Sequence, residues 1–319
     1  MSARRRACVF MLAAVAALSA TVAAAQDYPN KPIRLIIPYP AGGATDLTSR
    51  AFVSVAEEHL GQPMIVQIRT GGGGVVGAEA ALKSKPDGYT LFVGDPATHI
   101  ILPNVQKVPY DPANFVPIGQ IVALPGVLVV RSEAPWKATK EFVEDALKNP
   151  GKYKHAAVTF SPEHLMFETL GVKFKVKLTH VPAQGGGPSL QALLGGHVDI
   201  NALYPPVAAP HLQSGKLRAL GLAGVKRWPL LPDVSTLPEQ GYDLTATLWL
   251  GIFGQKGIPE PVLAKLREGV KKITDDPSFK TMMPRMGIVP DYLTADELQK
   301  RWDSERVTLK NVIDQVAKK

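Results

Sequence analysis

Apolar positions along this chain follow two rhythms in alternation. Short unbroken runs such as Ile33, Leu35, Ile36 and Ile37 predict strands covered on both faces. Stretches such as Leu47, Ala51, Phe52, Val55, Ala56 and Leu60 recur every three to five residues and predict helices with one buried stripe. Breakers fall where the rhythms change: Pro38 and Pro40 end the first strand, and Gly61 with Pro63 stops the first helix.

The same alternation runs on. Strands are predicted over Met64–Ile68 and Tyr89–Val93, with a short helix at Val75–Leu82 between them and a turn at Pro86-Asp-Gly88. After an irregular connector, Val108–Phe115, the apolar stretch Val116–Arg131 is interrupted by Leu124-Pro-Gly126, and we place the crossing into a second domain there. In that domain strands over Lys154–Val158, Phe174–His180, His197–Asn201 and Leu217–Ala223 alternate with helices over Glu163–Leu170, Ser189–Leu194 and Val207–Gln213. Lys173, Lys175 and Lys177 then read as the solvated face of a strand. Leu244–Gln255 is the return crossing, followed by helices over 260–273 and 295–317. The last has a capping box, Thr294 with Glu297, and a stripe of Leu298, Trp302, Leu309, Val312, Ile313 and Val316. The expected fold is therefore α/β, each half a mostly parallel sheet flanked by helices. Residues 26–124 with 247–319 make one half and 125–246 the other.

Residues 1–25 change the picture of the compartment. Arg4, Arg5 and Arg6 precede an apolar run, and Ala23-Ala-Ala25 fits a cleavage site, which predicts an export signal cut near Ala25. A twin-arginine route is also compatible with the Arg pair. The single cysteine, Cys8, lies inside this segment, so the remainder has no disulfide, thiol nucleophile or cysteine metal site. Of the formal net charge of +8, three belong to the signal arginines and +5 remains, on scattered lysines. That distribution does not make a nucleic-acid surface. About 294 residues remain after cleavage, a length that suits two domains.

Candidate chemistry sits in the loops that leave strands and enter helices, the edge where open α/β sheets bind ligands. In Tyr39-Pro-Ala-Gly-Gly-Ala-Thr-Asp46 the backbone N–H groups of Gly42 and Gly43 can face an anion that the helix dipole also favours. The spacing fits equally a tight turn with Thr45 as helix cap. Gly94-Asp-Pro-Ala-Thr98 is a second loop on the same edge. The Gly71–Gly74 run lacks the Lys-Ser/Thr of a phosphate loop and reads as a close helix approach or a mobile loop. None of the seven histidines has metal-ligand spacing, and His99 and His164 alone adjoin the loops. No serine lies in GxSxG, and Ser161 with His164 lacks a third partner. Asp46 and Asp95 could pair as carboxylates, although Asp46 is more simply a first-turn helix residue. The chain is equipped to hold a small molecule rather than to transform one, with no cofactor and no metal.

The order YPNKPIRLIIPYPAGGATD, GGGGVVGAEAALKSKPDGYTLFVGD, LPNVQKVPYDPANFVPIGQI, VPAQGGGPSLQALLGGHVDI, HLQSGKLRALGLAGVKRWPLLPDVSTLPEQGY and LWLGIFGQKGIP resembles the Bug-type receptors of tripartite tricarboxylate transporters across nearly the whole exported chain. The resemblance implies a two-lobed Venus-flytrap fold with two crossover strands as hinge, a monomer in the periplasm, and delivery of a small organic acid to membrane permease subunits. It implies that a ligand carboxylate is held by backbone groups and ordered waters at Tyr39, Ala41, Gly42 and Gly43, beside Asp46. Asp95, Ala97 and Thr98, then Thr159, Ser161, Gln184, Gly185, Gly186 and Tyr204, complete the enclosure. Three departures bear on the ligand: Val158-Thr-Phe-Ser161 replaces a Gly/Ser-rich segment, Ala183-Gln184 an aromatic position, and Asp95 a small hydroxyl residue. An acid at Asp95 would repel a second carboxylate, so the expected ligand is a monocarboxylate or zwitterion ahead of a tricarboxylate. Competing readings are a periplasmic hydrolase or isomerase using Asp46, Asp95 or His164, and a sensor presenting its closed form to a membrane kinase.

Overall fold

The computed structural model describes residues 28–317, so the expected export segment, with Cys8, lies outside the described residues. The chain opens with β1 (Ile33–Ile37), α1 (Ala44–Ser54), α2 (Ala56–Leu60), β2 (Met64–Ile68), α3 (Val75–Leu82) and β3 (Thr90–Gly94). A wide turn at Ala97–Ile101 leads into α4 (Leu102–Val105), and then comes one long strand, β4 (Phe115–Arg131). The next part holds α5 (Thr139–Lys148), β5 (Lys154–Ala157), α6 (Pro162–Phe174), β6 (Thr179–Pro182), α7 (Gly186–Leu194), β7 (Ile200–Leu203), α8 (Pro205–Gln213) and β8 (Leu217–Ala223). The chain closes with β9 (Thr247–Gln255), α9 (Glu260–Asp275), α10 (Pro277–Arg285), β10 (Pro290–Thr294) and α11 (Ala295–Ala317).

The strands follow the order β2-β1-β3-β9-β4-β7-β5-β6, with β10 and β8 also on β4. β4 belongs to both lobes: residues 115–125 pair with β9, and 126–131 pair with β8 and β7. Among the described residues the parallel ladders are β1 with β2 and β3, and β5 with β6 and β7, with one isolated parallel bridge from Leu222 of β8 to Thr236. The crossing strands run antiparallel to their neighbours. This layout turns the C-terminal ends of the parallel strands toward one cleft, which is what positions the site.

The largest apolar core runs through both lobes, with Ile33, Leu35 and Leu91 of the first and Val198, Leu203 and Leu217 of the second in one cluster, and each lobe adds a smaller core of its own. Trp249, Phe92 and Phe253 are fully buried with Trp302 of α11 in the first, and Phe142, Phe167 and Val130 pack together in the second. α11 does more than tie the C-terminus to the first lobe, because its Ile313 packs against both Ile101 and Leu165 of α6. Its start is the expected capping box: Thr294 Oγ1 accepts from Glu297 N, and Glu297 Oε2 accepts from Thr294 N at 2.9 Å. Thr294→Ala should lower stability by about 1 kcal/mol, read as a reduced urea midpoint at unchanged slope.

Several elements differ from expectation. Phe174–His180 is not a strand: α6 continues to Phe174, Lys175 turns left-handed at φ 62, and strand pairing starts at Thr179. Lys173 therefore lies in the last turn of a helix, where the dipole favours a cation, and pairs with Asp243 at 2.8 Å. The expected first helix breaks at Val55 into α1 and α2. The strand expected at 197–201 forms at 200–203, because Gly195 and Gly196 make a turn that His197 closes onto Ala192. Thr45 is not a cap: Gly43 precedes the helix, and Thr45 is buried within its first turn. α5, α10 and β10 were not anticipated.

Candidate functional site

Four helices begin at one cavity. Gly43 precedes α1, Ser161 precedes α6, Gly185 precedes α7 and Tyr204 precedes α8, and all four of these residues line the same space of about 40 Å³. Each helix start brings the positive end of a dipole, but the N–H groups come from the glycine-loop starts of α1 and α7. α8 opens on Pro205-Pro206, which have no N–H, and α6 on Pro162, with His164 N taken by Ser161. The first and third come from the two glycine loops, which touch. A Cβ added at Gly43 would lie 3.5 Å from Gly186 N, one at Gly187 3.4 Å from Ala41 O, and one at Gly185 3.2 Å from Pro40 Cδ. The first two are ordinary contacts and only the third is tight, so the two loops lie within van der Waals reach of each other across the cleft, with least room for a side chain at Gly185. Val158, Ala202, Leu203 and Leu248 supply an apolar wall. By the usual volume per water in such a cavity, there is room for about three water-sized groups.

The polar side chains in the lining are hydroxyls and acids, with no Lys, Arg or His. Asp95 is 1% exposed and its Oδ1 accepts from both Thr98 N and Thr98 Oγ1 at 2.8 Å. Burial pushes its carboxyl above the usual range, against the pull of bonds from Thr98, Tyr39 and Ala97. Glu163, in the first turn of α6, accepts from the Tyr204 hydroxyl at 2.7 Å. Burial pushes it up too, Asp95 adds to the rise, and Tyr204, its own backbone N–H and Ser161 oppose it. The phenols of Tyr39 and Tyr204 are raised well above their ordinary value, first by burial and then by these acids.

Of the residues expected at the site, Tyr39, Gly43, Asp95, Ser161, Gly185, Gly186 and Tyr204 line the cavity. Ala41, Gly42, Asp46, Ala97, Thr98, Thr159 and Gln184 lie outside the lining. Asp46 has turned to its own loop, accepting from Gly42 N at 2.9 Å and pairing with Arg50 at 2.8 Å. Thr98 serves the site through Asp95. Sequence reasoning missed Glu163, Thr45, Ser189, Val158 and Leu248. For Glu163 a signal existed: Ser161-Pro-Glu163 is a cap, a first-turn proline and a first-turn acid at a strand-to-helix junction.

The geometry does not assemble the enzyme constellations. Asp46 and Asp95 are held by separate partners. Ser161 Oγ accepts from the backbone N–H of His164, while the ring Nδ1 accepts from Phe160 N at 3.2 Å and the ring packs on His180 at 4.2 Å. His99 is sealed among Phe92, Phe115, Trp249, Phe253 and Trp302. Away from the cavity, Glu58, His59 and Asp276 come close enough to offer three ligand atoms to an ion, a grouping that spacing could not show. Asp276 is already engaged there, accepting from Ser278 N and Phe279 N at the start of α10 and bonded to His59 at 2.8 Å.

Two α/β lobes joined by long crossing strands, with helix starts converging on the cleft between them, define a two-lobed periplasmic binding protein fold. The chain belongs to the receptors of the tripartite tricarboxylate transporter family, whose sequence profile matches residues 49–317, and it is a Bug-type, solute-binding member. It is 30% identical over 289 residues to protein BugT of Bordetella pertussis, covering 89% of this chain and 88% of that one. Among solved structures, R. palustris Rpa4515 with adipate superposes with a TM-score of 0.87 at 26% identity, covering 91% of this chain and 99% of the other. MatC from Rhodopseudomonas palustris with bound malate gives 0.83 at 29% identity, covering 90% and 100%. No helix among the described residues is long and apolar enough to cross a membrane.

Proposed function

We propose that the protein is an exported receptor, its signal removed near Ala25. It captures a small carboxylate in the interlobe cleft and passes it unaltered to the permease subunits of a tripartite tricarboxylate-type transporter. The convergence of four helix starts on one cavity carries this reading. The dipoles of all four, with the backbone N–H groups of the two glycine-loop starts, α1 and α7, can hold an anion without a buried Lys or Arg. The lobes divide near Leu124 and Thr247, and the hinge lies where β4 passes from one sheet to the other around Pro125. Ligand favours the closed arrangement because only there do the two glycine loops meet around it.

The relatives with adipate and malate bind dicarboxylates. Here Asp95 stands in the cavity wall and disfavours a second carboxylate, so a monocarboxylate or zwitterion is the better fit. Calorimetric titration with matched mono-, di- and tricarboxylates tests this. The unmodified protein should prefer the single carboxylate, and Asp95→Ser should move the ranking toward dicarboxylates by about tenfold or more. An unchanged ranking would remove Asp95 as the determinant.

A further inference from the structure

We propose that Asp95 and Glu163 together seat a protonated amine, so that the ligand is a compact zwitterion. Its ammonium group lies between the two acids and its carboxylate faces the glycine loops. The inference rests on the solute-binding reading above and narrows it.

The two acids reach the cavity from opposite sides of the cleft. Asp95 follows β3, at the end of the first parallel sheet, and Glu163 stands in the first turn of α6 in the other lobe. The groups that act on Asp95 are Tyr39, Thr98, Ala97 N–H and Tyr110. Those that act on Glu163 are Tyr204, Ser161, its own backbone N–H and Asp95. All are neutral donors except the opposing acid, and the lining contains no cation. A first-turn Glu is ordinarily explained by the helix dipole alone. That explanation does not cover the fully buried Asp95 across the same small space from the half-buried Glu163, where two like charges disfavour closure. Closure then requires a positive group between them, or a proton on one of them.

Ligand chemistry follows. An ammonium group offers three donors to two carboxylates whose tyrosine partners fix their orientation. The remaining polarity of the cavity, four helix starts, suits the carboxylate of the same molecule. Binding would expel a proton held by the acid pair. Binding of a dicarboxylate would instead take protons up, because the acids would have to donate to it.

The test uses isosteric probes in which a methyl group replaces the ammonium: L-alanine against isobutyrate, and 4-aminobutyrate against pentanoate. Calorimetry on the exported chain at pH 7, in two buffers of different ionisation enthalpy, gives affinity and proton count together. The amine-bearing member of at least one pair should bind about tenfold or more tightly with proton release, and Glu163→Gln should erase most of that preference. Equal or tighter binding of the methyl isosteres, or tight dicarboxylate binding with proton uptake, would overturn the inference while leaving the solute-binding reading standing. Failure of every acid to bind would overturn both. A ligand-free measurement guards against a variant that merely misfolds. Carboxyls whose values are raised in the fold stabilise it at low pH, and that stabilisation is lost as pH rises through the raised value. Between pH 5 and 8 the melting temperature of Glu163→Gln should therefore gain on that of the unmodified protein. A difference that stays constant with pH would count against the acid pair.

Discussion

A Gly186→Trp chain should fold and melt within a few degrees of the unmodified protein, yet bind carboxylates about a hundredfold or more weakly. Gly186 opens α7 with an ordinary helical backbone, so a side chain is tolerated locally. A Cβ there would meet Val207 Cγ2 at 3.6 Å, Gly43 Cα at 3.7 Å and Ala44 N at 3.9 Å, all ordinary contacts. Beyond the Cβ there is no room for an indole. The cavity of about 40 Å³ is far smaller than that ring system, and the loop carrying Gly43 blocks the other direction. The side chain must fill the cavity or hold the lobes apart, and either outcome removes the closed state that ligand prefers. Small-angle scattering separates the two, since a wedge enlarges the radius of gyration and a filled cavity does not. Unimpaired binding by this variant would mean that ligand sits elsewhere.

Acid should unfold the protein through buried histidines. Burial holds His99 and His155 down to about 3 from an ordinary 6.5, with His180 and His164 adding to the effect on His155. His99 Nε2 and His155 Nδ1 have no hydrogen-bond partner, so neither ring has an acceptor for an added proton there. A depressed histidine contributes stability that is whole above its unfolded value and is lost as pH falls toward the folded one. Each costs the fold about 1.4 kcal/mol per pH unit in that window. From pH 6 to 4 the pair removes on the order of 5 kcal/mol, comparable to the whole stability of many domains. Asp95 and Glu163 act in the opposite direction, so the slope must be dissected. His99→Leu keeps an apolar side chain in the aromatic box and should make the pH dependence of urea unfolding shallower by about 1.4 kcal/mol per unit. An unchanged slope would show that His99 does not limit acid stability.

What could be read from sequence divides along physical lines. β1, β3 and β4 were legible because strands buried on both faces carry unbroken apolar runs, and α11 because its capping signal is local. β10 was not: Pro290 to Leu293 are half-buried, and the strand exists through pairing with β4. Phe174–His180 misled because Phe174, Val176 and Leu178 all pack on the second-lobe core while the lysines between them are exposed, so burial alternates as in a strand although pairing starts only at Thr179. α5 did carry a signal in Phe142, Val143 and Ala146. At the site, the loop residues were legible from the strand–glycine–helix pattern. Ser189 and Leu248 were not, since one lies a turn inside a helix and the other on a crossing strand, and only the closed cleft brings them together. The His99 box, assembled from residues 92 to 302, likewise has no local signature.

The central claim is that this chain holds a small organic acid in its cleft and returns it unchanged. A thermal-shift screen of residues 26–319 against mono-, di- and tricarboxylates, amino acids, aromatic acids and neutral sugars tests it most directly, with the hit recovered and weighed by mass spectrometry. At 100 times its dissociation constant a ligand should stabilise the fold by about 2.7 kcal/mol. The account predicts a saturable rise in melting temperature from one class of carboxylate, recovered intact. No rise from any acid, or a hit recovered chemically altered, would contradict it.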